Sequence, residues 1–96
     1  MPKKRYLTNE IISRVNKVDR IVSEWMRQNR INEIDPEGCM EILVKNEIYK
    51  YDSKGRGHHF REDLRTLRDC NRLDIFSSLL IEQTIPGSRW WIKLRT

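Results

Sequence analysis

The chain has 96 residues, of which 38% are hydrophobic and 34% charged, and its formal net charge is +5 at pH 7. This length fits one domain with a small core and excludes two separately folded domains. Three tryptophans, three tyrosines and two phenylalanines exclude a typical disordered chain. No apolar run reaches the roughly 18 residues that cross a bilayer, so no membrane partner is expected, and the positive charge favours an anionic partner.

Two cysteines, Cys39 and Cys70, form no closely spaced pair and no disulfide framework. This usage is typical of free thiols in a reducing compartment, and the N-terminal residues MPKKRYL lack the apolar stretch of a secretory signal peptide. We therefore expect a cytoplasmic protein. Residues 1–7 are expected to form a basic, solvated arm, with minor-groove binding or a localisation signal as alternatives, ahead of a single domain over residues 8–96.

A long amphipathic helix is predicted over residues 8–29, with Thr8 or Asn9 as its N-cap. Its apolar residues recur at spacings of three and four, which indicates one buried stripe. The stripe fits an ordinary core helix. It also resembles the seam of a coiled coil, which would pair two copies of the chain through Ile11, Val15, Val18 and Val22.

A short strand is predicted over residues 30–34, followed by a second helix that Asp35, Pro36 and Glu37 begin. Aspartate is a good N-cap, and proline suits the first helical position. The second helix should fade by Asn46, after burying a face that contains Cys39, Met40, Leu43 and Val44. Residues 47–57 then form a connector rich in turn-forming residues.

The third helix is predicted over residues 58–73 and carries two stripes. Phe60, Leu64 and Leu67 share a face that must be buried. Four arginines form the second stripe, about 90° to 140° around the helix from the first. They either present their charge to a polyanion or form ion pairs within the helix, and they are Arg61, Arg65, Arg68 and Arg72.

A β-hairpin is predicted over residues 79–95, with its turn at Pro86-Gly87-Ser88. Successive side chains of the second strand alternate between its two faces, so Trp90, Ile92 and Leu94 should face the core. The opposite face, with Arg89, Trp91, Lys93 and Arg95, is basic and aromatic. Trp91 could stack on a nucleic-acid base, or it could cover the first helix or a dimer partner.

The order of helix, short strand, two helices and hairpin resembles the winged-helix family of helix-turn-helix domains. The segments DPEGCMEILVKN, GHHFREDLRTLRDCNRL and LLIEQTIPGSRWWIKL carry the resemblance. It implies an α+β fold, a winged helix-turn-helix with three helices and a C-terminal β-hairpin wing. In that family the third helix usually enters the major groove and the wing lies along the backbone or minor groove. The connector departs from the family pattern, because a helix-turn-helix turn usually has three or four residues.

The sequence thus predicts binding of double-stranded DNA through the third helix and the wing. The residues expected to contact DNA are Lys54, Arg56, His59, Arg61, Arg65, Arg68, Arg89, Trp91 and Lys93. The alternative is a protein-interaction or dimerisation module that uses the first helix and the wing. No enzymatic activity, small-molecule substrate or cofactor is expected, and no metal, since His58 and His59 match no usual zinc spacing with the cysteines.

Overall fold

The fold contains three α-helices and a small antiparallel sheet, in a computed structural model that describes residues 6–50, 57–83 and 89–95. The predicted α+β class is therefore confirmed. The elements in chain order are α1 (Asn9–Gln28), β1 (Glu33–Ile34), α2 (Pro36–Lys45), α3 (His58–Asp69), a 3-10 helix (Leu73–Ile75), β2 (Leu79–Gln83) and β3 (Trp90–Leu94). The predicted hairpin turn lies outside the described residues.

The predicted N-caps of α1 and α2 are confirmed. The hydroxyl of Thr8 accepts a hydrogen bond of 3.2 Å from the backbone N–H of Ile11. The carboxylate of Asp35 accepts one of 2.8 Å from Gly38, and Pro36 occupies the first turn of α2. Each cap satisfies one of the N–H groups that a helix leaves without an internal partner.

All three helices end in a Schellman motif whose left-handed residue is not glycine. Arg30, Glu47 and Asn71 have φ angles of 55°, 58° and 56°. In α3, the next residue, Arg72, donates a 2.7 Å hydrogen bond back to the carbonyl of Leu67, and the same pattern follows α1 and α2. The predicted end of α3 at residue 73 was wrong, because without a glycine the sequence carries no clear stop signal.

Replacing Glu47 by glycine is expected to raise the free energy of unfolding by about 0.5–1 kcal/mol, because glycine adopts a left-handed conformation without the steric cost that a Cβ imposes. The matched control is Glu41→Gly, within α2, which should lower the free energy of unfolding by about 1 kcal/mol. Urea denaturation of both variants measures the difference. A lower free energy of unfolding in Glu47→Gly would contradict the steric cost of the left-handed conformation at this position.

The sheet has the order β1-β3-β2, and both pairings are antiparallel. Ile92 of β3 lies opposite Ile34 of β1 on one side and Ile81 of β2 on the other. The two-residue strand β1 leads directly into α2. The start of α2 therefore lies at the end of the sheet where β2 stops and β3 begins.

The core lies between the helices and one face of the sheet. The predicted buried face of α3 is confirmed, because Phe60, Leu64 and Leu67 are fully buried. The alternation of β3 is also confirmed, with Trp90 and Ile92 buried and Trp91 and Lys93 half-buried. The fully or almost fully buried side chains of the other elements are Val15, Val18, Val22, Met26, Cys39, Met40, Leu43, Phe76 and Leu79.

The predicted dimer seam along α1 needs correction. Val15, Val18 and Val22 are each 0% exposed in the single chain, where they pack into its own core. Ile11 is half-buried and packs against the same core. An apolar stripe at helical spacing identifies a buried face without saying what covers it, and here the covering elements belong to the same chain.

Two buried carboxylates tie α1 to the rest of the fold. Asp63 of α3 accepts hydrogen bonds from Arg14 of α1 and from the Tyr49 hydroxyl. Asp19 of α1 accepts hydrogen bonds from residues 77–79 at the start of β2. These contacts set where α3 and the hairpin lie relative to each other.

Candidate nucleic-acid interface

An open cleft of about 270 Å³ lies where the start of α2, one flank of α3 and the end of the hairpin at which β2 stops and β3 begins meet. We call it the arginine cleft, because three arginines from two separate parts of the chain line it. Arg61 and Arg65 come from α3, and Arg89 immediately precedes β3. The remaining lining residues are Asp35, Pro36, Glu37, Gln83 and Trp90.

The beginning of α3 is held against the beginning of α2. Gly57, the N-cap of α3, has φ 84°, and a Cβ placed on it would lie 3.5 Å from backbone atoms of both Pro36 and Glu37. The start of α3 therefore lies beside the start of α2 and not beside its end. Because α2 has ten residues and is about 15 Å long, a turn of three or four residues could not place α3 there. This placement brings Arg61 next to Glu37.

The arginines of α3 are partly neutralised by carboxylates. Arg61 Nη1 lies 3.4 Å from Glu37 Oε1, and Arg65 Nη1 contacts Glu62 Oε1. The side chains of Arg61 and Arg65 are 25% and 35% exposed. Ion pairs at this exposure contribute at most about 1 kcal/mol each, so a phosphate group can compete for both guanidinium groups. The two predicted uses of the stripe, ion pairing and polyanion binding, are thus compatible.

Arg68 turns towards the hairpin. Its Nη1 donates a 2.8 Å hydrogen bond to Gln83 Oε1, its Nε lies 3.1 Å from Asp69 Oδ1, and its guanidinium lies 5.7 Å from the ring centre of Trp90. Such a cation–π contact stabilises the position of both groups. Arg68 therefore joins α3 to the hairpin where β2 ends and β3 begins, a structural role that the sequence did not indicate.

The outer face of the sheet is less basic than its sequence suggested. Lys93 Nζ lies 2.9 Å from Glu82 Oε2, and Glu33 lies opposite Lys93 in the β1–β3 pairing. The hydrogen bond that Lys93 donates to Glu82, with the charges of Glu82 and Glu33, raises the pKa of Lys93. The lysine stays protonated but paired. The guanidinium of Arg89 lies 5.7 Å from the ring centre of the half-buried Trp91.

The remaining predicted residues are His59, Lys54 and Arg56. His59 is exposed, and it lines a different recess together with Arg14, Tyr49 and Asp63. Lys54 and Arg56 fall outside the described residues, as does the basic arm up to residue 5. Sequence reasoning missed the contribution of Glu37 and Gln83 to the cleft, since no local pattern links either position to α3.

Three other possibilities were a reactive cysteine, a metal site and a membrane-spanning helix, and the described residues support none of them. Burial raises the pKa of the Cys39 thiol to about 12, so this cysteine is not a nucleophile at neutral pH. Within residues 6–50, 57–83 and 89–95, no three histidine, cysteine or acidic side chains come together as a metal site. In the same part of the chain, no helix combines the length and apolarity needed to cross a membrane.

Comparisons with models of known protein families, with characterised proteins and with solved structures found no match to this chain.

Proposed function

We propose that this chain is a winged-helix domain that binds double-stranded DNA at the arginine cleft. The order α1-β1-α2-α3-β2-β3 supports the fold assignment. The observation that carries the functional proposal is that one cleft is lined by arginines both from α3 and from the hairpin, where Arg89 immediately precedes β3. These are the two elements for which the family resemblance implies DNA contact.

Arginine suits both kinds of contact that such a surface needs. Its planar guanidinium binds phosphate oxygens in pairs, and it can bind O6 and N7 of guanine in the same way. The twelve residues of α3 span about 18 Å, and a major groove about 12 Å wide admits a helix. Arg61 and Arg65 would approach the groove along α3, and Arg89 would hold a phosphate from the wing.

The carboxylates near the cleft limit the strength of binding. A phosphate must displace Glu37 from Arg61 and Glu62 from Arg65, and each displaced pair offsets part of the gain. We therefore expect modest affinity, dominated by counter-ion release and steeply dependent on salt.

The test is the affinity for a random-sequence duplex, measured by fluorescence anisotropy between about 50 and 200 mM salt. The double variant Arg61→Ala, Arg65→Ala should bind more weakly and lower the slope of log K against log salt by about two contacts. The matched control is Arg20→Ala, Arg27→Ala, which removes the same charge from exposed positions on α1 outside the cleft. The slope of log K against log salt should change much less in this control.

Absence of duplex binding by the wild type at 50 mM salt would overturn the proposal. Equal losses in the two double variants would also overturn it, because DNA would then sense only the net charge of the chain. Circular dichroism of each variant establishes that the helices are intact before the slopes are compared.

A further inference from the structure

We infer that Glu37 is an internal competitor for the phosphate group that the arginine cleft binds. The carboxylate of Glu37 occupies Arg61 in the free protein, and an incoming phosphate takes its place. This inference rests on the proposed function, because it concerns how that same cleft is regulated. It assigns to α2 the role of setting the affinity of the cleft.

The geometry of the Glu37–Arg61 pair fits a partner that can be displaced. The separation of 3.4 Å exceeds the roughly 2.7–2.9 Å of a strong charge-assisted hydrogen bond. The side chain of Glu37 is 58% exposed, so it can turn into solvent without leaving a buried cavity. Arg61 is only 25% exposed and lies along the cleft wall.

The second carboxylate of the cleft cannot play this role. Asp35 accepts the 2.8 Å hydrogen bond that caps α2, and moving it would leave the N–H of Gly38 without that acceptor. Loss of such a cap destabilises the helix. Of the two acidic side chains that line the cleft, Glu37 is therefore the one that can leave it at low cost.

The charge at the cleft explains why the competition matters. Three arginines and two carboxylates line the described walls, so the net charge there is small. Removing the Glu37 charge takes away a group that repels phosphate and also removes a competing partner of Arg61. A surface ion pair of up to about 1 kcal/mol corresponds to a two- to fivefold change in affinity.

The first experiment titrates the isotope-labelled 96-residue chain with inorganic phosphate at constant ionic strength, balanced with chloride. The side-chain Nε–H resonances of Arg61, Arg65 and Arg89 report binding by NMR. We expect saturable shifts in these resonances and a two- to fivefold tighter dissociation constant in Glu37→Gln. The matched control, Glu41→Gln, removes the same charge one turn along α2, outside the cleft, and should leave the constant unchanged.

The second experiment repeats the comparison with a short duplex, which separates a DNA phosphate from a free one. Duplex binding that is tighter in Glu37→Gln but unchanged in Glu41→Gln supports the inference. Duplex binding that is identical in wild type and Glu37→Gln overturns it, while the proposed function stands. Saturable phosphate binding that Glu37→Gln tightens, with no duplex binding, supports the competitor role and overturns the proposed function. Equal effects of Glu37→Gln and Glu41→Gln, or shifts that never saturate, overturn the competitor role.

Discussion

Replacing Asp63 by asparagine is expected to lower the free energy of unfolding by about 3 kcal/mol. Asp63 is 5% exposed and accepts hydrogen bonds of 2.7 and 2.9 Å from Arg14. Its Oδ2 also accepts a 2.5 Å hydrogen bond from the Tyr49 hydroxyl. An asparagine would leave the Arg14 guanidinium without its counter-charge and would place an amide N–H₂ among donors. Removing one partner of a buried ion pair costs about 3–5 kcal/mol, and the 34% exposure of Arg14 places this case at the low end.

Both donors to Asp63, Arg14 and Tyr49, keep their protons well above neutral pH because the pKa of each is raised. Burial, with the adjacent charge of Asp63, raises the pKa of Tyr49 far above its ordinary value, so its hydroxyl remains a donor. The hydrogen bond to Asp63 is the main cause that raises the pKa of Arg14. The Arg14 guanidinium also lies 5.6 Å from the Tyr49 ring centre. The network therefore joins α1, the segment after α2, and α3.

Urea denaturation of Asp63→Asn measures the loss. The matched control is Asp69→Asn on the same helix, whose side chain is 43% exposed beside Arg68, and which should cost less than about 1 kcal/mol. Similar losses in the two variants would show that the buried network contributes no more than a surface ion pair.

Replacing Asp19 by alanine is expected to lower the free energy of unfolding by about 2–4 kcal/mol. Asp19 is 7% exposed, and its carboxylate accepts 3.0 Å hydrogen bonds from the backbone N–H groups of Ser78 and Leu79 and from the Ser77 hydroxyl. Alanine removes the acceptor of these three donors. The donors lie at the first residue of β2 and at the two residues before it. Each buried donor that loses its acceptor costs about 1–3 kcal/mol, and water can reach the exposed Ser77.

Thermal denaturation gives the overall loss, and hydrogen exchange of the Ser78 and Leu79 amides shows whether it arises at the start of β2. The control Ser77→Ala removes only the hydroxyl contact and should cost about 0.5–1.5 kcal/mol. Unchanged amide protection in Asp19→Ala would contradict the anchoring role. Because Gln83 and Arg89 belong to the hairpin that Asp19 anchors, the variant should also weaken binding at the arginine cleft.

Local patterns in the sequence determined most of the secondary structure of this protein. The caps Thr8 and Asp35, the buried face of α3 and the alternation of β3 all appear where the sequence predicts them. Each of these features depends on residues within a few positions of one another, where helical or strand periodicity fixes which side chains share a face. The arginine stripe was identified for the same reason.

Only the tertiary structure decided which groups meet those faces. The apolar stripe of α1 is covered by the chain's own core, which removes its valines from any dimer seam. The packing of the start of α3 against the start of α2 brings Glu37 to Arg61, and the placement of the hairpin brings Arg89 to the same cleft, while His59 lies in another recess. The charges of remote residues can be summed from a sequence, but whether they attract, cancel or bind a ligand depends on distances that packing alone sets.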